Sequence, residues 1–170
     1  PLSAEQLHQL LLSEGEASLT MVKGLLKELQ TDYQERGIEL VKVASGYRFQ
    51  TRAELGQRLA SLWQEKPQKY SQALLETLAL IVYRQPITRG EIEQIRGVSV
   101  SSNIIKTLQE RNWIKVVGHK EVPGRPQLYA STKEFLDDFN LSDLSELPDI
   151  DTLDEDDERT AETAINEREQ

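Results

Sequence analysis

The sequence predicts a mainly α fold with small β-hairpins (α+β), built as two tandem winged helix-turn-helix domains and a disordered acidic tail. Three observations predict it. A short unit of helix, turn, helix and two-stranded hairpin runs twice through the 170 residues, and that order of elements is the one a winged helix-turn-helix domain follows. Apolar residues fall at helical spacing in the helical segments and fill two short hairpins. The acidic charge is gathered at one end. Residues 149–170 hold ten acids and two bases, a net of −8, whereas the rest of the chain holds 18 bases and 19 acids.

The first copy opens with Pro1, Leu2 and Ser3. A hydroxyl at that point caps the first amides of a helix, and Leu7, Leu10 and Leu11 continue it. Val22, Leu25, Leu26, Leu29 and Tyr33 then fall at i, i+3, i+4, i+7 and i+11, one apolar stripe on a longer helix. Arg36 and Gly37 are expected to close that helix, a cation in its last turn and a residue that tolerates a left-handed backbone. Ile38, Leu40 and Val43 lead into a turn at Ser45 and Gly46, and Tyr47 and Phe49 return. A short amphipathic helix over residues 53–63, with Leu55, Leu59 and Leu62, ends the copy.

The second copy has an extra helix at its start. Leu74, Leu75, Leu78, Ile81 and Val82 make residues 71–83 apolar almost all round near the end, which is the mark of a buried helix. Pro86, Ile87 and Thr88 repeat the opening of the first copy, and Ile92 and Ile95 lead to a stop at Gly97. Val100, Ile104, Ile105 and Leu108 form the second stripe, closed by Arg111 and Asn112. Ile114, Val116 and Val117 lead into a longer loop, Leu128 and Tyr129 return, and Phe135, Leu136 and Phe139 end the copy.

These readings place a first domain at residues 1–66, a second at 67–147 and a disordered acidic tail at 148–170. Residues 64–70 form a polar linker that Pro67 keeps from being helical. The chain opens where the extra helix of a complete copy would already have ended, so the first domain is expected to lack its N-terminal helix. Leu141, Leu144 and Leu147 are expected to dock on the second domain. The tail has no aromatic residue and too little apolar surface to offset ordering.

The inventory for catalysis is thin. Zero cysteines and two histidines exclude disulfides, a thiol nucleophile and a thiolate zinc site. There is no phosphate loop, dinucleotide fingerprint or nucleophile elbow. His8 and His119 read as solvated residues. No catalytic, cofactor-binding or metal-binding residue is expected, and neither is an enzyme. No apolar run approaches the roughly 20 residues that span a bilayer and no signal-peptide pattern opens the chain, so a cytoplasmic protein without a membrane partner is expected.

Winged helices often bind DNA. Residues 84–125 hold eight bases and four acids, which could meet phosphates. The helix that would enter the major groove offers Ser101, Ser102, Asn103, Lys106, Gln109 and Glu110, with no Arg to read guanine. At most weak nonspecific contact is expected. Gly124 lies between Pro123 and Pro126 in the second hairpin loop, a stiff turn in which Gly124 takes a positive φ and Arg125 is held outward.

Three stretches carry a resemblance: ALLETLALIVYRQPITRGEIEQIRGVSVSSNIIKTLQER at 73–111, VPGRPQLYASTKEFLDDFNLSDLSELP at 122–148, and more weakly RGIELVKVASGYRFQTR at 36–52. The chain resembles the segregation and condensation protein B family, the accessory subunit of the bacterial SMC–kleisin complex. The resemblance implies two tandem winged-helix domains and a non-enzymatic, dimeric subunit. Its implied partners are the kleisin subunit, segregation and condensation protein A, and through it the SMC ATPase at the nucleoid. A kleisin segment would lie in an exposed groove of the second domain, with Tyr83, Arg84, Arg89, Arg96, Gly124, Arg125 and Pro126 as candidate partner-binding residues, since Tyr and Arg are common interface anchors. The alternative from another class is a winged-helix DNA-binding transcriptional regulator.

Overall fold

Side-chain caps set where most of the helices begin. The computed structural model describes residues 1–11, 18–60 and 69–148. Ser3 Oγ accepts from the Gln6 amide at 3.2 Å while the Gln6 side chain accepts from the Ser3 amide at 2.8 Å, a reciprocal box that opens α1 (Ala4–Leu11). Ser18 caps α2 (Leu19–Asp32). The hairpin β1 (Ile38–Val43) and β2 (Gly46–Thr51) follows, then α3 (Ala53–Ala60). Ser71 caps α4 (Gln72–Arg84). After a cis Gln85–Pro86 bond come β3 (Ile87–Thr88) and α5 (Arg89–Arg96), which repeats the box with Thr88 and Glu91. Ser101 caps α6 (Ser102–Glu110), β4 (Ile114–His119) and β5 (Gln127–Ser131) form the second hairpin, and Thr132 caps α7 (Lys133–Asp138). A 3-10 turn at Leu144–Glu146 ends the described chain.

The fold is mixed α/β with small antiparallel sheets. In the N-terminal half β1 pairs β2, with Leu40 opposite Phe49. In the C-terminal half the order is β3-β5-β4. The two-residue β3 is an addition to the expected hairpin: Ile87 pairs Tyr129. Its counterpart is Leu2, which bridges Tyr47 through reciprocal amide–carbonyl bonds of 2.9 and 2.8 Å. The repeated Pro-apolar-hydroxyl opening therefore supplies a third strand in one copy and a single bridge in the other, before capping the helix that follows.

Three local expectations are corrected. The α2 helix ends at Asp32, five residues before Gly37, with Tyr33 as its cap, and Gly37 is not left-handed; its role is space, since a Cβ there would lie 3.2 Å from Leu55 Cδ1. The first hairpin turns at Ala44 and Ser45, because Gly46 stands in the ladder opposite Val43. Gly46 has φ +140°, and a Cβ on it would lie 2.3 Å from the Leu2 carbonyl, so the crossing of Leu2 demands glycine there. In the α2 stripe Val22 and Leu26 are buried but Leu25 and Leu29 are exposed. The stops at Gly97 (φ 69°) and Asn112 (φ 56°) are as read.

Among the described residues the buried apolar side chains, Val43 apart, fall into two clusters. The C-terminal cluster is large: Leu78, Ile81, Ile92, Val100, Leu108, Trp113 and Phe135 are among its members, with Leu141 and Leu147 against it; Leu144 stays exposed. The N-terminal cluster is Ala4, Val22, Leu26 and Leu40, with Leu7, Leu19 and Tyr47 against it. The far end of the expected helix at 53–63, most of the linker and residues 149–170 of the tail lie outside the described residues.

Candidate partner-binding surface

The candidate residues stand in three places around the C-terminal half. Tyr83 and Arg84 end α4. Buried Leu78, Ile81 and Val82 fix the helix, and Gln85 ties its end to β5, accepting from the Ser131 amide at 2.7 Å and its hydroxyl at 3.0 Å. Arg84 is exposed; Tyr83 is half-buried and donates its hydroxyl to the Pro148 carbonyl at 2.7 Å. Tyr83, Val82 and Gln85 line one wall of an open groove of about 560 Å³, with Leu144, Leu147 and Pro148 on the other.

Arg96 stands apart. Its side chain is 10 % exposed and bridges to Glu76 on α4 at 2.8 Å, with a further bond to the Thr77 hydroxyl at 3.3 Å. It braces α5 on α4 and presents little of itself to a partner.

Arg89 and the second hairpin loop meet at the start of α5. Arg89 Nε lies 3.0 Å from Glu93 and Arg89 Nη1 donates to Ser102 Oγ at 3.0 Å. The Glu93 carboxyl also accepts the Val100 amide at 2.8 Å, and that amide, then Arg89, holds its pKa below the usual value. Glu91 joins the loop to the helix: one oxygen takes the Lys120 ammonium, the other the Thr88 amide and hydroxyl. Those bonds, led by Lys120, lower its pKa to about 2. Beyond Lys120 the loop turns on backbone bonds from Arg125 to Val122 and from Lys120 to Pro126, both 2.9 Å. Gly124 takes φ 85° and Arg125 φ 37°, and Arg125 pairs with Glu121 at 2.9 Å.

Five of the eight bases of the stretch are engaged in ion pairs within the chain. Arg89, Arg96, Lys106, Lys120 and Arg125 each pair with a carboxylate. Arg111 lies over the Tyr70 and Trp113 rings at 4.7 and 5.3 Å. Sequence counting gives the net charge but cannot see these pairs. Among the described residues no group of three or more His, Cys, Asp or Glu could hold a metal ion, and no helix is long and apolar enough to cross a membrane.

One surface escaped the sequence reading. Leu2, Leu7, Leu26, Leu29, Tyr47 and Phe49 line a mainly apolar trough of about 360 Å³ in the N-terminal half, where the Phe49 ring stands 4.8 Å from Tyr33. The signal for it is the width of the α2 stripe: it holds more large apolar residues than four buried side chains can cover.

A family model described as "Segregation and condensation complex subunit ScpB" matches residues 1–150. The chain is 58% identical over 153 residues to a segregation and condensation protein B homolog of Coxiella burnetii, covering 90% of this chain and 73% of that protein. It is 42% identical over 147 residues to segregation and condensation protein B of Syntrophotalea carbinolica, covering 85% and 74%. The crystal structure of ScpB from Mycobacterium tuberculosis is similar with a TM-score of 0.41 at 30% identity, covering 83% of this chain and 86% of that one.

Proposed function

The chain belongs to the family of segregation and condensation complex subunit ScpB, and we propose that it works as a non-enzymatic accessory subunit of that complex in chromosome condensation and segregation. It binds the kleisin subunit, segregation and condensation protein A, and through it reaches the SMC ATPase at the nucleoid. The intact protein is a homodimer. Its two copies of helix, helix and hairpin are tandem winged-helix domains at residues 1–66 and 67–147, followed by an acidic tail. The observation that carries the reading is the 58% identity over 90% of the chain.

The kleisin is placed on the C-terminal half, with Tyr83 and Arg84 beside the groove at Leu144 and Leu147, and Arg89 with the Gly124, Arg125 and Pro126 loop as a second contact. A groove lined by Val82, Tyr83, Leu144 and Leu147 together with the polar Gln85 and Ser145 suits an amphipathic segment. Arg96 supports this surface from below.

The regulator reading loses support from the ion pairs. A duplex would have to compete with Glu76, Glu91, Glu93, Glu110 and Glu121 for five cations, and each phosphate contact given up flattens the salt dependence of binding. The test is a pull-down with the kleisin of the same cell, followed by light scattering, beside duplex titrations at low and physiological salt. A stable complex with the kleisin and weak binding indifferent to duplex sequence are expected. Selective binding of one duplex, with no kleisin capture, would establish the regulator instead.

A further inference from the structure

We propose that a polar latch between the first hairpin turn and the end of α7 holds the two halves in one arrangement, and that it releases as a unit into a second, open arrangement. Five hydrogen bonds form the latch, between residues up to 100 apart in sequence. The Ala44 amide donates to the Leu141 carbonyl at 2.9 Å. The Ser45 amide donates to Asp137 Oδ1 at 2.9 Å. Arg48 Nη2 donates to the Asp137 carbonyl at 2.8 Å and to Asn140 Oδ1 at 2.6 Å. The Ser142 hydroxyl donates to the Lys42 carbonyl at 3.3 Å.

The geometry is specific on both sides. Gly46 and Leu2 fix the turn, as described above, so Ala44 and Ser45 present their amides outward together. On the other side Asn140 takes a left-handed backbone, φ 59°, which ends α7 and brings its side chain to Arg48. A guanidinium on the last carbonyls of a helix is a favourable cap. Asp137 is buried, and a carboxylate so placed needs a donor, which the Ser45 amide supplies.

What is absent matters equally. Among the described residues neither cluster of buried apolar side chains contains residues of both halves; Val43, buried outside both, lies beside the turn. The five bonds of the latch are polar, and water can replace each of their partners when it opens. Hydrogen bonds exchanged with water contribute little net stability, and small polar contacts between chain halves are the kind that open and close. A partner touching both halves selects one arrangement by its differential affinity. The bond from Tyr83 to Pro148 lies within the C-terminal half and is no part of the latch, so opening the latch does not require the segment after α7 to leave that half.

The chain has no cysteine, so Glu28→Cys on α2 and Gln109→Cys on α6, both at exposed positions, allow two spin labels on the full chain. With the doubly labelled chain diluted into an excess of unlabelled protein, so that each particle carries one spin pair, pulsed electron–electron double resonance should give one narrow distance for the otherwise unchanged protein. Arg48→Ala should add a longer, broader component, raising the open population about five- to tenfold, while Arg48→Lys should show less of it. Asn140→Gly keeps the left-handed backbone and removes one acceptor, so it should move the same way, and it decides the matter if Arg48→Ala lowers the melting temperature. A broad distribution before any latch substitution, or one narrow distance in both Arg48→Ala and Asn140→Gly, overturns the proposal.

Discussion

Arg96 on α5 and Glu76 on α4 are joined at 2.8 Å by a guanidinium of which a tenth is exposed. A further bond, to Thr77, reaches a hydroxyl that itself donates to the Ala73 carbonyl at 2.7 Å. Arg96→Ala should lower stability by about 1–3 kcal/mol through the loss of charge-assisted bonds. Arg96→Lys should recover part of it, since an ammonium keeps the charge but not the fork. Urea denaturation followed by circular dichroism measures both.

Gly46→Ala should cost about 2–4 kcal/mol, the range of a clash that backbone must relieve. A Cβ would meet the Leu2 carbonyl carbon and oxygen at 2.3 Å. Amide hydrogen exchange should show protection lost first at Leu2 and Tyr47, which bond each other. Gly118→Ala is the control: nothing lies within 4 Å of a Cβ there, and its effect should stay within about 0.5 kcal/mol.

Enclosed and exposed apolar side chains differ in what is lost on truncation. Ile92 and Leu108 are fully buried, and either one changed to Ala should cost about 2–5 kcal/mol through transfer and cavity terms. Met21, more than half exposed on α2, should cost under about 0.5 kcal/mol. Thermal denaturation of the three variants orders them.

Glu91 gives the pH dependence a sign. Lys120 and Thr88 lower its pKa from 4.5 to about 2 in the folded chain. A carboxyl depressed by folding stabilises above its unfolded value and loses that contribution as pH falls through the folded one. Stability from this tie should be complete above about pH 5 and fade toward pH 2. Glu91→Gln should flatten that part of the curve, and Lys120→Met should do so nearly as well. Chemical denaturation at a series of pH values reads the slope; an unchanged slope in both variants refutes the tie.

Helices were the most legible part of the chain because their signals are local. Thr88 and Gly97 stand at the two ends of α5, and the stripes around Ile92 and Leu108 announce the larger core. What was misread depends on distant partners. Ile87 and Thr88 are too few to show alternation, and only Tyr129 and Leu128 make them a strand. Gly37 suggested a left-handed stop, but its neighbour in space is Leu55. At the candidate surface, composition located the cations and missed their pairing; Arg96 belongs to Glu76 and Arg125 to Glu121. The contact of Ser45 with Asp137 spans 92 residues, and no pattern in either segment hints at the other.

The separation of the two apolar clusters has a consequence for how such a chain changes over generations. A substitution at Leu26 alters what Val22 and Leu40 must fit, and nothing around Ile92 registers it. Compensating changes are therefore sought within one half at a time. The small cluster, with few buried members and several apolar residues already at its surface, tolerates drift in side-chain volume. The large one, with Ile81, Ile92, Val100 and Leu108 fully enclosed, holds its members to shape. Relatives should diverge faster in the N-terminal half than in the C-terminal half, with Gly46 an exception fixed by the backbone that crosses it.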